Sequence, residues 1–394
     1  MDSDLVGPPS RWPTGLRGIP DFRNLVEEPR VQRRGVQLIP TLEDPMRTRS
    51  STASAASFVI LSLVLFGTIS GAESGKSNGT PVKVGDYVLT GPYAHGNLAV
   101  FLIHGADRLK DKTYLTLQEG MERKIVVVRE TGNVNELSIE NVSPDQEVYV
   151  QSGDIVKGGR QDRMIAMDFI LPARSGQMPI DAFCVEHGRW TQRGAESDSL
   201  FATSDYQVAG KDLKLAAKQR MDQSLVWQQV AANQKKLTEN AGKSVQATDS
   251  ASSLQLSLES KPVEETTAAY VKALEPTIDG NNDVIGYAFA INGKVNSADV
   301  YASHALFVKL WPKLIKSSAV EAVAETQKGI PTAEAKVADV YQCMSDADKG
   351  AKSEKSVTAR VRMVTRETEQ NVVFQTLDGG ATTQPVHENF VNKK

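Results

Sequence analysis

Eleven consecutive residues, Gly153-Asp154-Ile155-Val156-Lys157-Gly158-Gly159-Arg160-Gln161-Asp162-Arg163, hold the densest collection of chemically competent groups in this chain. Two adjacent glycines let a backbone approach a ligand closely. Their amides, with Lys157 and Arg160, suit an oxyanion such as a phosphate or carboxylate. A second string, Glu186-His187-Gly188-Arg189-Trp190, adds a carboxylate, another guanidinium and a flat aromatic face. The ligand-binding candidates are therefore Asp154, Lys157, Gly158, Gly159, Arg160, Gln161, Arg163, Arg189 and Trp190. Trp190 serves either to stack on a planar ligand or to fill core. Glu186 and Asp162 are the candidate general acid and base, since a positioned carboxyl can give or take a proton.

The elements between these strings must bring them together. Met164–Leu171 and Pro179–Glu186 both read as strands. Paired as an antiparallel hairpin, the start of the first lies beside the end of the second. Arg163 and Glu186 are then expected to face each other. The pair is either a fork that orients a ligand or an ion pair that closes the hairpin end; the sequence leaves both open.

Other chemistries are excluded by pattern. Lys157-Gly158-Gly159-Arg160 lacks the Gly-Lys-Ser/Thr ending of a nucleotide loop and runs into a strand instead of a helix. No Gly-x-Ser-x-Gly elbow, zinc motif or dinucleotide fingerprint occurs, and the five histidines show no metal-ligand spacing. No cofactor and no metal are expected. A net charge of -3 over 394 residues argues against nucleic acid as a partner. With 40% hydrophobic and 24% charged residues, the composition is that of a globular chain.

Arg47 and Arg49 precede an apolar run, Ala55–Phe66, and Ser70-Gly71-Ala72 supplies small residues. That order reads as an export signal over 46–72, with Met46 as initiator and residues 1–45 as an over-extended start. The apolar run falls short of the roughly 20 residues of a spanning helix. A periplasmic or extracellular location without a membrane span is the expectation. There Cys184 and Cys343 could pair, although Cys184, within Phe183-Cys184-Val185, reads more simply as a buried hydrophobe.

Strands dominate from Val82 to Gln151, and helical spacing appears over Lys211–Leu237. Residues 240–267 are rich in Ser, Thr and Ala and read as an exposed polar insertion. Val284–Ile291 reads as a strand, followed by a helix capped by Asp299 and running through Trp311. Residues 378–394 read as a mobile tail. Strands first and helices later, without regular alternation, give an α+β fold in which a β-rich, antiparallel N-terminal half packs against helices from the C-terminal half.

Gly153–Arg163 and Cys184-Val185-Glu186-His187-Gly188-Arg189-Trp190, with weaker support from Val226-Trp227 and from Gly286-Tyr287 to Trp311, resemble a domain family. It is named for association with ADP-ribosylglycohydrolases and the rhodanese/phosphatase superfamily. The resemblance implies one domain over about residues 82–325, with 326–394 as an extension. The association implies a phosphorylated or ribosylated ligand. Three functions follow in order: an exported domain that binds an anionic small molecule at the Gly/Arg/Asp cluster; a hydrolase acting on a phosphorylated or ADP-ribosyl-like substrate; and an envelope interaction module in which the cluster is structural.

Overall fold

The computed structural model describes residues 80–109, 112–329, 334–380 and 384–394. The expected signal and upstream extension lie outside the described residues. Strands β1 (Val82–Val84), β2 (Tyr87–His95) and β3 (Leu98–His104) open the chain as an antiparallel meander. A short β4 (Leu115–Thr116) leads into helix α1 (Leu117–Glu122). Thr116 and Glu119 cap α1 reciprocally, each side chain bonding the other's backbone N–H.

Strands β5 (Val126–Glu130), β6 (Glu136–Asn141), β7 (Val148–Val150), β8 (Asp154–Gly158), β9 (Arg163–Ile165), β10 (Phe169–Leu171), β11 (Gly176–Cys184) and β12 (Phe201–Gln207) follow. Six of them form a sheet in the order β12-β8-β9-β11-β6-β5. Its two edges meet: Arg129 bridges to Leu200, and Glu130 N–H bonds the Ser199 carbonyl at 3.0 Å. The sheet thus curls toward a small barrel, which leaves little open edge. β10, β7 and β4 make a separate three-stranded sheet.

The expected hairpin forms only at its root. Ala182, Phe183 and Cys184 pair with Ile165, Met164 and Arg163, but Phe169–Leu171 pairs with β7. The break lies at Asp168, whose carboxylate turns into the core to accept from Ser152 N–H at 2.7 Å. A run that is apolar on both faces fits either neighbour, so periodicity does not separate the two pairings.

Next come α2 (Lys211–Lys214), a π-helical turn (Leu215–Gln219), α3 (Gln223–Ala241), α4 (Leu254–Leu258) and α5 (Lys261–Leu274). Residues 240–267 are therefore not an exposed insertion. Ser253, Gln255 and Ser257 are buried there, because their side chains are tied into hydrogen bonds that a composition count does not reveal.

Strands β13 (Val284–Ile291) and β14 (Lys294–Tyr301) form a hairpin, and α6 (His304–Ala324) follows. Asp299 sits inside β14 and does not cap the helix; Ser303 does, accepting from Leu306 N–H. Pro312 lies inside α6, which continues past Trp311 to Ala324. The helix is buried on most of its circumference, which explains its near-continuous apolar sequence. After α7 (Val337–Ala347), strands β15 (Ala351–Ser356), β16 (Val361–Glu367), β17 (Asn371–Asp378) and β18 (Pro385–Asn392) complete a nine-stranded antiparallel sheet. Its order is β1-β2-β3-β13-β14-β18-β17-β16-β15.

The expected tail is thus an internal strand, β18, held between β14 and β17. Segment 326–394 is built into the domain and is no appendage to it. Its polar letters misled because β18 buries His387, Glu388 and Asn389 as well as Val386, Phe390 and Val391. The fold is α+β and strand-rich in its N-terminal half. α6 packs on one face of the large sheet, joining the small-barrel strands in a common core. α7 covers part of the other face through Val340, Cys343, Met344 and Ala347.

Candidate functional site

The root of the β9–β11 pairing does bring the two polar strings together. Asp162 and Glu186 are 0% exposed. The Asp162 carboxylate accepts from Arg193 through both terminal nitrogens, at 2.7 and 3.0 Å. It also accepts from Gly158 N–H at 3.0 Å and from the Ser253 hydroxyl at 2.6 Å. Glu186 accepts a bidentate fork from Arg189, at 2.6 and 2.7 Å, and the Asp162 N–H at 2.9 Å. Every carboxylate oxygen is therefore occupied by the protein itself. Burial works against ionising Glu186, but the Arg189 fork outweighs it and holds the carboxyl below its ordinary value. Burial, with Glu186 nearby, holds Asp162 above its ordinary value despite Arg193.

Arg163 does not pair with Glu186. Its guanidinium bonds the Gln161 carbonyl at 2.8 Å and meets Glu130 at 3.3 Å. The side chains of a strand alternate faces, and Glu186 lies just beyond β11, where Arg189 and Arg193 of the following loop reach it first. The glycines do permit a close approach, but to protein: a Cβ on Gly159 would sit 2.3 Å from the Phe201 ring, and both glycines have positive φ.

The remaining candidates scatter. Lys157 pairs with Glu259 at 3.1 Å, and Asp154 with Lys313 at 2.7 Å, at the far end of β8. Gln161 is buried and bonds the Glu186 carbonyl at 3.0 Å. Arg160 and Trp190 are exposed, Trp190 at 44%. Cys184 and Cys343 are both free and buried, so no disulfide joins them. Burial pushes the two thiols up to about 11 and about 12, and neither is a ready nucleophile.

A second polar cluster lies on the inner face of β18. His387 stands between two aspartates, with Nδ1 2.7 Å from Asp168 and Nε2 3.0 Å from Asp299. Both ring nitrogens face carboxylates, an arrangement that requires the doubly protonated imidazolium. Burial opposes this charge, but Asp168 and Asp299 overcome it and raise the pKa. Asn389 also donates to Asp299 and Thr376 to Asp168, Asp299 Oδ2 stays without a hydrogen-bond partner, and the Tyr301 ring stacks on His387 at 4.5 Å. The π-helical turn places Lys218 3.6 Å from Asp168. This cluster is enclosed as well.

One step along β18 the side chain points to the other face, and the environment changes. Glu388 lies on the floor of an open pocket of about 400 Å³. The turn between β1 and β2 forms one wall, the end of α7 from Tyr341 with Asp348 and Lys349 just past it another, and Gln375 of β17 lies beside Glu388 in the sheet. Arg108 reaches in from the segment after β3. Among the described residues its guanidinium makes one hydrogen bond, to Tyr87 Oη at 2.8 Å, and lies over the Tyr87 ring at 5.3 Å. Among the described residues the nearest carboxylate to it is Glu388, at 3.9 Å, beyond hydrogen-bond reach. Tyr87 in turn donates a long bond, 3.4 Å, to Glu388.

Burial dominates the Glu388 carboxyl and pushes it up to about 7, with Asp348 adding to the rise and Arg108 and His387 opposing it. Burial, together with Glu388, also holds the Tyr87 phenol above its ordinary range. Glu388, Arg108 and Tyr87 were not among the sequence candidates. The available signal was Val386-His387-Glu388-Asn389-Phe390-Val391, a polar core flanked by β-branched and aromatic residues, which suits a strand as well as a tail.

Taken together, these features of the described residues define an α+β domain with two enclosed polar networks and an open, charged pocket over β18. A model of the ARPP-1 family, the ARG and Rhodanese-Phosphatase-superfamily-associated Protein domain, matches residues 86–389. The chain belongs to that family. The match runs into β18, well past residue 325. Neither the curated proteins nor the solved structures gave a match.

Proposed function

We propose that this domain binds an anionic small molecule, and that the pocket beside Arg108 receives it. The observation that carries this reading is the state of Arg108: a guanidinium lining the pocket that, among the described residues, makes one hydrogen bond and meets one carboxylate, Glu388, only at 3.9 Å, beyond hydrogen-bond reach. Guanidinium forks match carboxylate and phosphate oxygens in pairs. By contrast, Arg189 and Arg193 are spent on Glu186 and Asp162, so anion binding at the Gly/Arg/Asp cluster would first have to break a buried pair. A phosphorylated or ribosylated molecule is the finer form of the proposal, with its phosphate meeting Arg108. A pocket of about 400 Å³ falls in the size range of small-molecule sites.

The test is calorimetric titration of the full chain with sulfate, inorganic phosphate and citrate, repeated on Arg108→Gln. Binding by the wild-type chain that disappears in Arg108→Gln, with an unchanged melting temperature, is the expected result. Binding that survives this substitution, or that is lost on replacing Arg160 instead, would return the site to the Gly/Arg/Asp cluster. Hydrolysis with Asp162 or Glu186 as acid or base has less support, because both carboxylates are enclosed and fully bonded.

A further inference from the structure

Resting on the reading that an anion enters beside Arg108, we infer that it enters together with a proton, and that Glu388 is the residue that carries this proton against the ligand. The geometry has three parts. Glu388 is 7% exposed and on the pocket floor, so an anion seated on Arg108 comes to rest against it. Arg108 Nη1 is 3.9 Å from Glu388 Oε1, so an anion bonded to the guanidinium shares the same positive charge with this carboxylate. The bond from Tyr87 is 3.4 Å long, too weak to hold Glu388 ionised once Arg108 has turned to a ligand.

Two anions sharing one guanidinium in a half-enclosed pocket repel each other, and protonation of the carboxyl removes the conflict. The neutral carboxylic acid also becomes a donor, so Glu388 and Arg108 offer hydrogen bonds to one oxyanion from two directions. The proton comes from solvent and forms an O–H bond on the Glu388 carboxyl; no other bond changes.

The groups facing Glu388 support this assignment. Tyr87 comes from β2 and Arg108 from the segment after β3. Asp348 and Lys349, just past α7, and Asp86, at the β1–β2 turn, line the same pocket. His387, its neighbour, points to the opposite face of β18 between Asp168 and Asp299. The carboxyl is already pushed up to about 7 without a ligand, so the uptake falls within ordinary working conditions.

Sulfate is the probe, because it does not itself titrate near neutrality. Its affinity for the full chain is expected to fall about tenfold between about pH 6 and about pH 8, following the protonated fraction of Glu388. In Glu388→Gln this slope should flatten, with affinity near the wild-type value at low pH. Glu321→Gln is the control. The Glu321 carboxyl is also pushed up to about 7, but it lines a separate small cavity with Asn233 and Gln207, and this substitution should leave the slope intact. Sulfate affinity independent of pH in the wild-type chain, or a slope that persists in Glu388→Gln, would overturn the proton coupling while leaving the anion site standing. Absence of sulfate binding at every pH would overturn the anion site itself.

Discussion

The root of the β9–β11 pairing and the pocket over β18 contain the same kinds of group, arginines beside buried carboxylates, in opposite states. At the first, Arg189 and Arg193 answer Glu186 and Asp162 with bonds of 2.6–3.0 Å, and neither carboxylate keeps an unbonded oxygen. At the second, Arg108 and Glu388 stand 3.9 Å apart at the bottom of an opening. Charge density alone therefore does not mark a binding site. What matters is whether the charges are already matched, and matched buried pairs hold shape where mismatched ones are available for chemistry.

The largest effect expected from this contrast is at the closed cluster. Arg193→Met should cost about 3–5 kcal/mol, because it leaves the Asp162 carboxylate buried without its partner. Urea unfolding would measure it; a loss below about 1 kcal/mol would mean that the pair is not the fastening described. His387→Leu belongs to the same class and should cost a similar amount, about 3–5 kcal/mol, by stranding Asp168 and Asp299.

The pH dependence has a definite sign. His387 has a raised folded pKa, so its stabilisation is complete below its unfolded value near 6.5 and is lost as pH rises through the folded value. Asp168 and Asp299 are held below their ordinary value: burial raises both, but Lys218 and His387 outweigh it at Asp168, and Lys214 and His387 at Asp299. Their contribution is present above about pH 4 and fades as pH falls through the depressed values. His387→Leu should therefore make the alkaline slope of a stability–pH curve shallower, leaving the part that Glu388 and Glu321 contribute; an unchanged slope would place that titration elsewhere.

A smaller, opposite effect is expected at the open site. Glu388→Gln should stabilise the chain by about 2 kcal/mol at about pH 8, where the wild-type protein carries a poorly matched buried charge, and by little at about pH 5. Thermal melts at the two pH values would show it, and destabilisation at both would contradict the account of Glu388. The smallest effect is at Arg160, which is exposed: Arg160→Ala should shift stability by less than about 0.5 kcal/mol and leave sulfate affinity unchanged.

The sequence carried the fold class and the meeting of the two polar strings at one end of a strand pair, because both rest on local alternation and on one antiparallel pairing. It did not carry which arginine meets which carboxylate. Arg193, absent from the candidates, takes Asp162, since loop side chains obey no fixed period and a one-position change of direction re-sorts every partner. The Glu388 pocket was invisible for a related reason. Tyr87, Arg108 and Glu388 are joined only when β18 enters the sheet, and nothing in a string of letters encodes a contact between residues about 300 positions apart. The Ser/Thr-rich segment misled in the opposite sense: its hydroxyls are polar in composition but spent internally, as Ser253 on Asp162 illustrates.

The order of strands in the large sheet bears on how the chain is made. β3 lies beside β13, yet about 180 residues separate them, so during synthesis at roughly 5–20 residues per second the hydrogen-bonding rim of β3 waits roughly 10–40 s for its neighbour. β18 arrives later still, and β14 and β17 cannot be joined before it. An early meander with an unfilled flank is a template for pairing with other nascent chains. The ribosome-bound intermediate is thus the stage at which this sheet has the most unpaired strand edge.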